Sequence, residues 1–220
     1  MTDARWGPPD PQAAEEESYR IVRSRIDLSR LPRFSRDVTE RVIQASADFD
    51  YFTDLVCDED ALAAGAPVIV DSAMVAAGIT GCPLISKIGE PLTARLARTA
   101  AISPAAAAVR LAFGEAGPGA VWVVGGTAEA LQELLARRVE AAFVVGLPAG
   151  FVGAAEAKDA LRASGMRSVS NVSEKGGPAV AVAAFSALLE AATTGGGSKP
   201  GQDPAGRPGR AERDWAAGSR

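Results

Sequence analysis

The chain has 220 residues, 23 of them Lys or Arg and 27 Asp or Glu, giving a net charge of −4 and a pI near 5.1. That length suits one domain with a tail, and the acidic balance argues against nucleic acid as the main partner. There is no histidine, which removes His-ligated zinc, Ser-His-Asp and Cys-His catalysis and any imidazole acid or base.

Residues 1–14 carry Pro8, Pro9 and Pro11 without an apolar h-region. They read as a disordered N-terminal segment, not a signal peptide. Glu15 to Leu28 reads as a helix with Ile21, Val22 and Ile26 among its apolar positions. Asp37 to Ala47 reads as a second, with Asp37 and Glu40 at capping-box spacing. Asp58 opens a short helix that Gly65 ends. Pro67 to Val70 is a buried strand with Asp71 at its carboxyl end, and a helical turn from Ser72 ends at Gly78. Leu84 to Ile88 reads as a strand, and helices start at Pro91 and at Ser103-Pro104.

The second half is more regular. Strands at 120–124, 141–145 and 167–171 are each followed by a glycine turn and a helix, the last running to about Ala192. This repetition predicts a single α/β domain over 15–192, a three-layer, mostly parallel sheet with helices on both faces. Residues 193–220 form a Gly/Pro-rich tail whose one large apolar residue is Trp215, a composition that predicts disorder. Cys57 and Cys82 match no metal-ligand spacing and read as free thiols. The most apolar stretch, 178–192, is interrupted and too short to span a membrane. The expected location is the cytoplasm.

Ligands of such sheets bind beyond the carboxyl ends of the strands. That places Asp71, Gly125 to Thr127, Gly146 to Phe151 and Gly176-Gly177 around one candidate cleft. Gly125-Gly126-Thr127 has two readings: amides offered to an anion, or a tight strand-to-helix turn with Thr127 as N-cap. Neither GxGxxG nor GxxxxGK[ST] is present. In the turn from Gly146 through Gly150 to Phe151, the glycines admit a flat ligand or pack a helix entry. Asp71 is a site residue or a cap. Glu156 and Lys158 open the next helix, where Lys158 either grips a carboxylate or faces solvent.

Several segments together resemble one family. Residues 15–22 (EEESYRIV) are similar to its opening helix, and 41–51 (RVIQASADFDY) to its signature segment. Residues 64–79 (AGAPVIVDSAMVAAGI) and 145–158 (VGLPAGFVGAAEAK) resemble its next blocks, and Gly176-Gly177 before an apolar helix matches its end. The family is precorrin-8X methylmutase, of cobalamin biosynthesis. The resemblance implies a cofactor-free isomerisation that moves a methyl group from C11 to C12 of a corrin-precursor macrocycle. It also implies a homodimer whose cleft admits the macrocycle and its peripheral carboxylates.

The family's catalytic histidine falls on Gln44, an amide that only donates or accepts neutral hydrogen bonds. Ser18 is retained at an early polar contact. The family's Thr-Arg before the alanine row is replaced by Ile102-Ser103-Pro104, its Gly-Asn-Ala-Pro-Thr by residues 125–129, and its late arginine by Ser173-Glu174-Lys175. Asp48 and Asp50 are the acids nearest Gln44 in sequence. Three functions follow: a methylmutase using Gln44, a non-catalytic corrinoid-binding homologue, and a binder of another small molecule through the Gly125 turn.

Overall fold

The computed structural model describes residues 10–59, 62 and 65–195. Among the described residues six strands form one sheet: β1 (Leu55–Cys57), β2 (Val68–Val70), β3 (Leu84–Ser86), β4 (Val121–Val124), β5 (Phe143–Gly146) and β6 (Ser168–Asn171). Their spatial order is β1-β6-β5-β4-β2-β3. The pairings β3–β2, β2–β4, β4–β5 and β5–β6 are parallel, whereas β1 runs antiparallel to β6. The expected α/β domain is thus present, with an antiparallel edge strand added.

Side-chain alternation along β4 divides the core into two. Val121 and Val123 point into one half, with Val22 of α1 (Pro11–Arg25), Val42 of α2 (Arg33–Ser46), Val75 of α4 (Ala73–Gly78) and Phe185 of α9 (Pro178–Gly195). Trp122 and Val124 point into the other. There they meet Val109 of α6 (Pro104–Ala116), Leu131 of α7 (Ala128–Ala136) and Leu161 of α8 (Ala154–Ala163). α5 (Pro91–Ala100) packs on α6. A sheet covered on both faces needs strands without a polar side, and β2, β4 and β5 are buried at every position.

Local chemistry sets several helix starts. Ser72 Oγ accepts from Val75 N at 3.2 Å, Ser103 Oγ from Ala106 N at 3.1 Å and Thr127 Oγ1 from Ala130 N at 3.3 Å. Each satisfies an amide that the first helical turn leaves free.

Four differences from the sequence reading stand out. α1 begins at Pro11, capped by Asp10, so residues 11–14 are helical. α2 begins at Arg33, which puts Asp37 inside the helix and leaves no capping box there. Its first amides are capped from a distance instead: Phe34 N and Ser35 N donate to the Glu59 carboxylate at 3.0 and 2.8 Å. A short helix α3 (Tyr51–Asp54) and strand β1 stand where no element was expected, and Asp58 and Glu59 are not helical. The rest of that expected helix falls partly on residues 60, 61, 63 and 64, outside the described residues, as do 1–9 and the tail from 196. Both cysteines are free.

Candidate functional site

Gln44 and Arg41 lie three residues apart on α2, so they share a helix face. That face opens on a cleft of about 690 Å³ between α1, α2, α4 and α9. Glu15 of α1, Met74 of α4, Thr80 and Ser186 of α9 also line it, with small residues such as Gly78 and Ala179 forming its walls. Gln44 is half-buried. Arg41 is paired with Glu190 of α9 at 2.5 Å. A second, charged groove of about 540 Å³ adjoins the cleft, and Glu15 and Arg41 line both.

The residues expected at the strand ends form a separate cluster, and none of them is among the described residues lining the Gln44 cleft. Asp71, at the end of β2, is buried. Its carboxylate accepts from Gly125 N at 3.1 Å, Gly126 N at 2.7 Å and Thr127 N at 3.2 Å. Burial pushes its pKa above the usual carboxylate value, and the three amide bonds oppose that rise. The amides read as an anion site are therefore engaged by the chain's own anion. Thr127 caps α7, as the alternative reading had it.

Lys158 is fully buried. Its ammonium donates to Asn171 Oδ1 at 2.8 Å, to the Lys175 carbonyl at 2.7 Å and to the Ser173 carbonyl. It is a pillar under the loop between β6 and α9, facing neither solvent nor a free carboxylate. Burial lowers its pKa to about 8. Asp54 grips the same loop from α3, accepting from Asn171 Nδ2 at 2.8 Å, Val172 N at 3.0 Å and Ser173 N at 2.8 Å. Burial raises the Asp54 pKa, but these hydrogen bonds and that of the Ser173 hydroxyl outweigh it and hold the group below the usual value.

The two glycine loops touch. Gly150 N donates to the Glu174 carbonyl at 3.0 Å, and Gly177 N to the Leu147 carbonyl at 2.7 Å. Gly176 sits at φ +144°, where a Cβ would strike the Leu147 and Pro148 carbonyls. At Gly146 a Cβ would lie 2.5 Å from Leu161 Cδ2, so that glycine lets α8 close on the sheet. Phe151 is 93% exposed and Glu156 is also exposed, and both stand clear of the cleft. Ser18 is half-buried on α1, nearly one turn beyond Glu15.

Asp48 and Asp50 are both tied to Lys175, each at 2.7 Å. The Lys175 hydrogen bond holds Asp48 below its ordinary pKa. Sequence reasoning singled out neither this clamp nor the roles of Glu15, Arg41 and Asp54. The spacing of Arg41 and Gln44 was the one available signal. Among the described residues, no group of three His, Cys, Asp or Glu side chains is placed to hold a metal ion, and no helix is long and apolar enough to cross a membrane.

A three-layer α/β domain with a wide, partly apolar cleft beside a helix-borne amide has the form of a protein that binds an organic small molecule. The family model of precorrin-8X methylmutase matches residues 13–191. The cobalt-precorrin-8 methylmutase of Salmonella typhimurium is 36% identical over 198 residues, covering 81% of this chain and 94% of that protein. The corresponding protein of Methanothermobacter thermautotrophicus is 36% identical over 186 residues, covering 79% and 89%. The crystal structure of the precorrin-8X methylmutase from Thermus thermophilus superposes with a TM-score of 0.75 at 32% identity, covering 84% of this chain and 98% of that one. The chain belongs to the precorrin-8X methylmutase family, a family of isomerases.

Proposed function

We propose that this chain is a precorrin-8X methylmutase of cobalamin biosynthesis that works without histidine, moving the methyl group from C11 to C12 of the macrocycle to give hydrogenobyrinate. The observation that carries this reading is the position of Gln44. It lines a cleft large enough to admit part of a macrocycle, and the family resemblance sets it against the catalytic histidine. The shift is intramolecular, so holding the ring in a reactive shape supplies much of the acceleration. Gln44 donates a neutral hydrogen bond to a ring nitrogen, and Arg41 beside it turns from Glu190 to a peripheral carboxylate of the substrate.

The protein works in the cytoplasm as a homodimer, without a cofactor and without nucleic acid. The family likeness supports the dimer, and the net charge of −4 supports the lack of a nucleic-acid partner. Light scattering on the purified protein tests the dimer. An absorbance assay with precorrin-8X beside a protein-free blank tests the activity. Conversion above the blank is expected. Retention of the macrocycle through gel filtration without conversion would instead identify a corrinoid-binding protein.

A further inference from the structure

Migration of the methyl group asks for a proton at the ring, and Gln44 has none to give. The cleft offers few other sources. Its polar side chains Arg41, Gln44, Thr80 and Ser186 carry no carboxyl. Asp48 and Asp50 lie outside the lining of this cleft, and both are tied to Lys175. Asp71 is buried outside this cleft, with its carboxylate taken by three amides. One side chain is left: Glu15 is the one carboxyl among the described residues that line this cleft. Its side chain, on the second turn of α1, is exposed and makes neither a hydrogen bond nor an ion pair with a described residue.

We propose that Glu15 is the acid of the cleft, giving its carboxyl proton to a ring nitrogen as the methyl group leaves C11 and recovering it once the bond to C12 has formed. The C11–methyl bond breaks, the C12–methyl bond forms, and the proton returns to Glu15. The sum is an isomerisation needing no oxidant, reductant or co-reactant. This inference rests on the methylmutase reading of the Gln44 cleft.

The charged groups around Glu15 fit that role. Tyr19 and Arg23 belong to its own helix, Asp37, Glu40 and Arg41 face it from α2, and Glu190 from α9. Arg23 is taken by Glu40 and Arg41 by Glu190. Arg33 at the start of α2 lines the same groove and is the cation that the bound macrocycle's carboxylates must draw off for Glu15 to hold its proton. A polycarboxylated macrocycle docked here brings negative charge and excludes water, and both favour the protonated form of a neighbouring carboxyl. The substrate thus arms its own acid.

The test compares Glu15→Gln and Glu15→Asp with the unaltered protein by steady-state kinetics over pH 5–9, with circular dichroism as a check on folding. Glu15→Gln is expected to lower kcat by roughly 10² to 10⁴-fold with little change in KM, and to abolish the fall of kcat at high pH. Glu15→Asp is expected to restore part of the rate and the pH limb. A Glu15→Gln protein with kcat within about twofold and the same pH profile overturns the proposal. If the unaltered protein binds precorrin-8X without turnover, the methylmutase reading fails, and Glu15 is judged on the bound macrocycle alone. A ring-protonated absorbance spectrum that disappears in Glu15→Gln supports it as the proton source, and identical spectra overturn it.

Discussion

The Asp71 carboxylate and the Gly126 amide meet at 2.7 Å, and through this contact the end of β2 is fastened to the amino terminus of α7. Two further amides, of Gly125 and Thr127, complete the grip. A negative group at a helix N-terminus is favoured twice, by the orphan donors and by the helix dipole. Asp71→Ala is expected to cost about 2–3 kcal/mol, read from urea denaturation. The freed amides should then accept an inorganic anion. Sulfate should raise the melting temperature of the variant well beyond any general salt effect on the unaltered protein. An equal response in both would count against an internal anion at this turn.

Lys158 gives a pH dependence whose sign follows from its surroundings. Its pKa in the fold is about 8, below the ordinary lysine value of 10.5, because burial disfavours the ammonium. As pH rises, the folded chain therefore loses this proton before the unfolded chain does. Between about 8 and 10.5 the unfolded state binds more protons, so this group's contribution to stability rises with pH. The urea midpoint of the unaltered protein, taken relative to that of Lys158→Met, should climb across that window. Lys158→Met itself should be less stable at pH 7 by roughly 3 kcal/mol, because Asn171 and two loop carbonyls lose their donor.

Gln44→His tests whether the cleft still shapes its substrate. Placing an imidazole on the face shared with Arg41 adds a group that titrates near neutrality. Turnover of precorrin-8X should rise by about tenfold or more. No gain, with the macrocycle still bound, would show that the acid alone does not limit this protein.

Gly176→Ala addresses the loop behind the cleft. At φ +144° a side chain is strained, and here it would also strike the Leu147 and Pro148 carbonyls. Since Gly177 N bonds the same Leu147 carbonyl at 2.7 Å, relief would pull the two glycine loops apart. A loss of roughly 3 kcal/mol is expected by thermal or urea unfolding. A near-neutral outcome would show that the loops do not support one another.

Phe151 is 93% exposed and packs on nothing in the core. Phe151→Ser should leave stability within about 0.5 kcal/mol. If the apolar tip meets the macrocycle or a second copy of the chain, the same change should weaken macrocycle retention or dimerisation, both read by gel filtration.

The second half of the fold was legible because burial on both faces leaves a plain mark, runs such as Val121 to Val124 between glycine turns. The first half was harder to read because its decisive contacts come from far along the chain. Glu59 caps α2 across 24 and 25 residues, and Asp54 fixes the β6–α9 loop from more than 110 residues away. β1 has three residues, too few for alternation to show, and its order comes from pairing with β6. Lys158 could not be assigned from spacing, because its helix position suits solvent or ligand equally. Its burial is decided by carbonyls that arrive with a later loop. Gln44 was found through the family likeness, whereas the cleft partner Glu15 emerged from the geometry alone.

The edge pairing of β1 with β6 also sets an order of events during synthesis. Leu55 to Cys57 leave the ribosome well before Val169 to Asn171, yet they are partners. Until the final strand appears, β1 has no neighbour and β5 lacks one of its two. α9, whose Phe185 and Ala181 complete the core above the sheet, comes later still. A nascent chain stopped before β6 thus holds an unfinished sheet with an open edge and an uncovered apolar face, so chaperone demand should end abruptly when the last strand and helix emerge.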